Sequence, residues 1–357
     1  MPITRLSLKN YTAFKELDAS FSNGINVFIG DNGTGKTHLL KALFAFCECD
    51  KTPYTLSTNN REITENPDSS ISKSTVPFVH DSFIDKLARY FLADDVRMLY
   101  HDSQYEPSFI IKYNDYQDDN IQFQFFAGLC AQALEQADLL LLNPNNIKSA
   151  FIPAKEMLTH ARIEKDYAVR KVPFDETLID IINKSGASEL RDLAVNSQNI
   201  LGLIESIIHG KVFYDRDIYY ISRKNVNYNF QVEAEGYKKF AVLLRLLETG
   251  ALTNGSILFW DEPEANMNPH NIPTLVDILI ALREMDVQIF IATHDYLLAK
   301  YLEVRNIHNS GLLFHALYRN NGDINLESGE SFTTLKNNGI VEQTISLYEE
   351  EVAKVLG

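Results

Sequence analysis

The octet Gly30-Asp31-Asn32-Gly33-Thr34-Gly35-Lys36-Thr37 constrains this chain more than any other feature. It has the pattern G-x-x-x-x-G-K-T. The apolar run Ile25–Ile29 before it is of strand type, and His38 leads into Leu39, Leu40 and Leu43 at helical spacing. Strand, glycine loop and helix, in that order, is the context a phosphate-binding loop requires; a glycine-rich turn that matched by accident would lack it. The glycines let backbone N–H groups curl around a polyphosphate, and the helix N-terminus adds partial positive charge. Residues Gly30 to His38 are therefore the expected contacts of a nucleoside triphosphate. Lys36 is expected to reach the β- and γ-phosphates, and the Thr37 hydroxyl to ligate Mg²⁺.

A second half-site is expected about 220 residues downstream. Ile257-Leu258-Phe259-Trp260 is an apolar strand that ends in Asp261-Glu262-Pro263. Asp261 is placed to hold Mg²⁺, and Glu262 to polarise the water that attacks a γ-phosphate. Acidic pairs often simply end buried strands, so this signal gains its meaning from the upstream loop. The next strand, Gln288–Ala292, ends in Thr293-His294-Asp295. From that place the His294 imidazole can donate to a γ-phosphate and sense its loss.

The rest of the chain fits an intracellular α/β protein. It has 357 residues, a formal net charge of −15 and three cysteines, Cys47, Cys49 and Cys130, too few and too badly spaced for a disulfide framework or a zinc site. With no long apolar run and no secretory signal, a cytoplasmic protein without a membrane partner is expected. The acidic balance does not support a broad nucleic-acid-binding face, although a local groove stays open. Lys238, Lys239 and Arg245, and Arg223 with Lys224, form small basic clusters, read as solvated faces.

Strands are expected at Ile3–Leu8, at Leu17–Phe21, and as a hairpin pair at Phe109–Tyr113 and Ile121–Phe125 flanking 114–120. Another is expected at Ser149–Ile152, and a strand pair at Lys211–Tyr214 and Asp217–Ser222. Helical periodicity marks Phe83–Leu92, most of Met157–Ile208 and Tyr237–Leu247, while 50–77 reads as a loop. Strands alternating with helices in the second half imply a mostly parallel sheet.

The phosphate loop, the segment WDEPEANMNP and the segment ATHD together resemble ABC-type ATPases. The opening LSLKNYTAFKELDASFSNGINVFIGDNGTGKTHLL is similar to the soluble branch that includes SMC, RecF-type and OLD-type proteins. The likeness is specific over 1–45 and about 231–302. It implies an α/β P-loop NTPase fold, one ABC-type ATPase domain over 1–357 with a mostly parallel core and an antiparallel β part. A helical or signature lobe, 157–235, is inserted between the phosphate loop and the Asp-Glu strand. It makes Glu262 the general base, His294 the switch histidine, and Ala265–Asn268 the loop facing a second subunit. It also points to Ala234-Glu235-Gly236-Tyr237-Lys238-Lys239, where the family carries a Ser-x-Gly-type signature that caps the γ-phosphate of the opposite protomer. Gly236 fits; the serine is replaced by Ala234, and Lys238 or Lys239 could substitute for the missing donor. Near Ile152–Glu156 the family has a Mg²⁺-touching glutamine; none is present, leaving Glu156 as a metal approach and Lys155 as a phosphate approach.

The resemblance implies an ATPase that uses ATP and Mg²⁺, associates with itself as a head-to-tail dimer, and controls a separately encoded effector such as a nuclease or toxin in anti-phage defence. The insert lacks the long heptads of an SMC arm and the Cys-x-x-Cys of a zinc hook. About sixty residues follow His294, too few for a TOPRIM-type nuclease domain. A transporter ATPase subunit and a DNA-repair or chromosome-maintenance ATPase are the alternatives.

Overall fold

The computed structural model describes residues 2–49, 55–56, 63–64, 82–113, 121–126, 147–160, 163, 174–216, 218–306 and 311–356. Most of the 50–77 segment, the turn 114–120 and Cys130 lie outside the described residues.

The chain opens with β1 (Ile3–Tyr11) and β2 (Phe14–Ser20), an antiparallel hairpin. Tyr11 already pairs with Phe14, so β2 begins three residues before the expected Leu17. The phosphate-loop strand β3 (Ile25–Gly30) leads into α1 (Lys36–Glu48). The short pair β4 (Thr55–Leu56) and β5 (Ile63–Thr64) follows, then α2 (Ser82–Phe91). The expected hairpin is present as β6 (Ser108–Tyr113) and β7 (Ile121–Phe126), which extend the first sheet in the order β2-β1-β6-β7.

After β8 (Ser149–Ile152) the expected helical stretch contains α3 (Glu176–Gly186) and α4 (Val195–Ile208). The next sheet has three strands rather than two: β9 (Lys211–Asp215), β10 (Ile218–Arg223) and β11 (Val226–Asn229). Positive φ at Lys224 and Asn225 makes the tight turn that adds β11. Then come α5 (Glu235–Glu248), β12 (Ile257–Asp261), α6 (Ile272–Glu284), β13 (Gln288–Ala292) and α7 (Tyr296–Arg305). Two strands that the sequence pattern did not reveal, β14 (Leu312–Asn320) and β15 (Asp323–Gly329), precede α8 (Gly339–Leu356).

The central sheet has the order β15-β14-β3-β13-β12-β8. All its pairs are parallel except β14 with β15. Its strands read as continuous apolar runs because both faces are covered. Alternate side chains serve two cores. Val27, Trp260 and Ile291 point to the side packed by α4, α5 and α6. Phe28, Phe259 and Phe290 point to the side of α1 and the antiparallel sheet. These three rings form a ladder across β3, β13 and β12, with Phe28–Phe290 at 6.5 Å and Phe259–Phe290 at 5.2 Å, both stacked. Two filled cores fix the heights of β3, β12 and β13, and hence where their C-terminal ends project. Cys47 and Cys49 belong to the second core and are buried.

Candidate nucleotide-binding site

The phosphate loop lies between the C-terminal end of β3 and the start of α1. Gly30, Gly33 and Gly35 all have positive φ, at 143°, 77° and 89°. A side chain at Gly30 would be built 2.2 Å from the Leu317 carbonyl, and one at Gly35 would meet the Phe14 ring at 2.5 Å. Glycine is therefore demanded twice, by backbone conformation and by lack of room. Thr34 braces the loop from inside, its hydroxyl donating to the Asp31 carbonyl at 2.8 Å. Lys36 is buried, and its ammonium donates to the carbonyls of Gly30 (2.6 Å) and Asp31 (3.0 Å). Burial lowers its pKa, and the charges of Glu262, Asp261, Asp31 and Glu264 oppose that shift. No side chain caps α1, so its first-turn amides remain donors for an anion. Asn32 and Gly33 are exposed at the loop tip. The His38 ring turns away from this edge, edge-on to Phe91 at 4.9 Å, and burial lowers its pKa to about 4. A neutral, packed imidazole leaves the backbone N–H as what His38 can offer a phosphate.

The carboxylate pair meets the loop because β12 and β3 end at the same edge, separated by β13. The Thr37 hydroxyl donates to Asp261 Oδ2 at 2.9 Å. Asp261 is buried, which raises its pKa; the Thr37 bond works against that rise. At Glu262 the backbone turns into the left-handed region, φ 46°, and its N–H donates to the Ala292 carbonyl at 2.9 Å. This turn swings the side chain off the sheet axis, where it is one-third exposed. His294 Nδ1 lies 3.4 Å from Glu262 Oε1. The structure thus brings Lys36, Thr37, Asp261, Glu262 and His294 to one sheet edge. Among the described residues no group of three or more His, Cys, Asp or Glu is disposed to hold a metal. Thr37 with Asp261 would supply two oxygen ligands to a Mg²⁺ whose remaining positions phosphates and water fill.

Comparison with known proteins bears on the same residues. A family profile described as "AAA domain, putative AbiEii toxin, Type IV TA system" matches residues 25–300. The chain belongs to this family. It is an ABC-type ATPase of the SMC/RecF branch. It is 38% identical over 71 residues to the DNA replication and repair protein RecF of Clostridium kluyveri, covering 20% of this chain and 19% of that protein. Against RecF of Cytophaga hutchinsonii it is 49% identical over 47 residues, 13% of this chain and 12% of that one. The matches thus span a fifth or less of the relatives' length. Among solved structures, an Smc head bound to the C-winged helix domain of ScpA superposes with a TM-score of 0.54 at 12% identity, covering 92% of this chain and 98% of that one. An Smc head domain with an extended coiled coil, bound to the C-terminal domain of ScpA derived from Pyrococcus furiosus, gives 0.51 at 12% identity, covering 98% and 99%. These likenesses show the fold.

In this ABC-type ATPase the signature region departs from expectation. Gly236 is buried beneath Asn266 and Met267, so the exposed residues at the start of α5 are Ala234 and Glu235. No side chain caps α5 either. Lys238, Lys239 and Arg245 are not a solvated basic face: all three are buried. Each has found a partner distant in sequence or one turn away. Lys238 pairs with Glu235 at 2.9 Å, and Arg245 with Glu189 at 2.6 Å and Glu248 at 2.8 Å. Lys239 donates to the Glu262 carbonyl at 2.6 Å and thereby tethers the signature helix to the carboxylate turn. Arg223 is likewise held, by Glu233 at 2.6 Å.

Glu156 is engaged locally. Both its oxygens accept from Thr159, which makes it the cap of the turn Leu158–His160, and burial raises its pKa. Several residues at this edge went unread in the sequence. Glu264 is buried and accepts from the Thr293 hydroxyl at 2.6 Å, linking the two carboxyl-bearing ends of β12 and β13. Its position two residues after Glu262 was the available signal. Arg319, from β14, donates to the Gly33 carbonyl at 2.9 Å; no sequence pattern connects these two. Lys41, one turn into α1, pairs with Asp175 at 2.6 Å, the N-cap of α3.

Proposed function

We propose that this protein binds ATP with Mg²⁺ through Gly30 to His38, hydrolyses it as a head-to-tail dimer, and uses that cycle to control a separately encoded effector in anti-phage defence. The observation that supports this most is the 2.9 Å bond between Thr37 and Asp261, residues 224 apart in sequence. It unites the loop and carboxylate halves beside a buried lysine. Mg²⁺, when bound by Thr37 and Asp261, offsets charge on the β- and γ-phosphates. Lys36 exchanges its two loop carbonyls for phosphate oxygens. Glu262 accepts a proton from the water whose oxygen bonds to the γ-phosphorus as the bond to the ADP oxygen breaks. His294, beside Glu262 and half exposed, donates to the γ-phosphate. The partner subunit's share comes from the start of α5, where Ala234 and Glu235 are exposed and Gly236 is buried, with Ala265–Asn268 along the interface. The lobe 157–235 carries this helix end, and the Lys41–Asp175 and Lys239–Glu262 ties connect it to the nucleotide. The family's description names a putative toxin, which supports a place for this chain in a toxin system.

Calorimetry and a phosphate-release assay on two variants test the reading together. Lys36→Ala should abolish measurable ATP binding. Glu262→Gln should bind ATP normally yet hydrolyse it about a hundredfold more slowly. Normal affinity in the first would remove the site assignment; normal turnover in the second would assign water activation elsewhere.

The RecF segments favour one second reading, an ATPase that acts in DNA repair. Its mark is hydrolysis stimulated by DNA and lost steeply with salt; the net charge of −15 weighs against it.

A further inference from the structure

The helix α8 presents a surface that the nucleotide site does not use. Its start is fixed to the body. Buried Asn338 donates to the Phe332 carbonyl at 2.7 Å and accepts from the Val341 amide, and Ile340 and Val341 pack on the first core. Beyond that turn the helix has little cover. Every residue from Glu342 to Val355 is exposed except Val352, which is half-buried.

A helix with a wholly solvated course needs polar residues all round, and this one does not have them. Val341, Ile345, Tyr348, Val352 and Val355 recur at alternating spacings of four and three, the seam of a coiled coil. Ile345 is 52% exposed, Tyr348 66% and Val355 80%, with Leu347 beside them at 64%. Most of a helix's stability in a protein comes from packing its apolar face. The seam is flanked by Glu342, Glu349 and Glu351, with Glu350 behind, against a single Lys354. Two copies aligned on this seam would bring like charges together, within a chain already at −15. A helix with lysine or arginine beside its own apolar stripe would meet opposite charge there.

We propose that α8 is a docking helix for a partner protein, and that the partner contributes an amphipathic helix with basic residues flanking its seam. The site sits next to the phosphate loop. A side chain at Gly339 would lie 3.2 Å from Asp31 Oδ1, and Arg319 from the same C-terminal segment holds Gly33. A partner seated on α8 is therefore adjacent to the residues that would change with nucleotide. The inference does not depend on the ATPase reading: Lys36→Ala should leave docking intact.

The test is a titration of the full chain with two synthetic helical peptides, followed by fluorescence anisotropy. Both carry leucine at the seam positions; one has lysine at the flanking positions and the other glutamate. The lysine peptide should bind and weaken as salt rises, and the glutamate peptide should bind at least about tenfold more weakly. Ile345→Asp, and separately Tyr348→Asp, should each lower affinity for the lysine peptide at least about tenfold, with circular dichroism showing an unchanged fold. Equal binding of both peptides, binding insensitive to both substitutions, or no binding of the lysine peptide overturns the proposal. So does self-association of the unmodified chain that Ile345→Asp abolishes, because the occupant would then be a second copy.

Discussion

The helix starts of α1 and α5 both lack a side-chain cap, and the fold treats them differently. At the start of α1 the chain itself demands glycine: Gly30 and Gly35 have positive φ, and a Cβ would strike the Leu317 carbonyl at 2.2 Å or the Phe14 ring at 2.5 Å. At the start of α5, Gly236 has an ordinary φ, and a Cβ would meet Asn266 and Met267 at 3.4 Å, ordinary contact. Around the first, Lys36, Thr37 and Asp261 converge within hydrogen-bonding distance. Around the second, the nearby lysines are already paired with Glu235 and Glu262. One half-site is finished within a single chain. The other, in the proposed dimer, would face a second subunit.

Substitutions at the glycines break or sharpen this contrast. Gly30→Ala should destabilise the protein by about 3 kcal/mol or more, because strain and a backbone clash act together. Denaturant unfolding measures it, and a loss below about 1 kcal/mol would show that the loop relaxes freely. A smaller effect comes from His38, whose folded pKa of about 4 lies below its ordinary 6.5. The unfolded chain then binds the extra proton first, so His38 costs no stability above pH 6.5 and costs increasingly as pH falls toward 4. Between pH 7 and pH 5 the wild type should lose about 2 kcal/mol relative to His38→Gln. Parallel stability curves would mean that the imidazole is not packed against Phe91. The smallest effect belongs to Gly236→Ala, which should shift stability by less than about 1 kcal/mol. A loss as large as that at Gly30 would erase the distinction between the two helix starts.

The finished half-site was the legible one. Its residues lie in short segments whose local pattern carries the chemistry: an apolar strand, then glycines and a lysine, or an apolar strand, then two carboxylates. Those strands are apolar throughout because both faces are covered, so their order along the chain also foretold the parallel core. The remainder was set by partners distant in sequence. Nothing local marks Lys239 as buried; its ammonium is satisfied there by a hydrogen bond to the Glu262 carbonyl, 23 residues away. Arg245, expected in a solvated basic cluster with Lys238 and Lys239, is buried beside Glu189 and Glu248. No local pattern announces that the Glu156 carboxylate accepts from Thr159. β14 was missed although it pairs with β3 along the phosphate-loop strand, and with it went Arg319.

Mixing two inactive variants tests directly whether the site is shared between two subunits. Lys36→Ala removes the phosphate-loop half. Ala234→Glu sets a carboxylate at the exposed start of α5, where it spares packing and repels a partner's phosphate. Each variant alone should be inactive, and Ala234→Glu should still bind ATP as an isolated chain. In a mixed dimer one composite site carries both lesions and the other carries neither. Equal mixing with random pairing should therefore restore about a quarter of wild-type hydrolysis. If the mixture stays inactive while mixed dimers form, or if Ala234→Glu alone hydrolyses ATP at the wild-type rate, the two halves are not shared in trans.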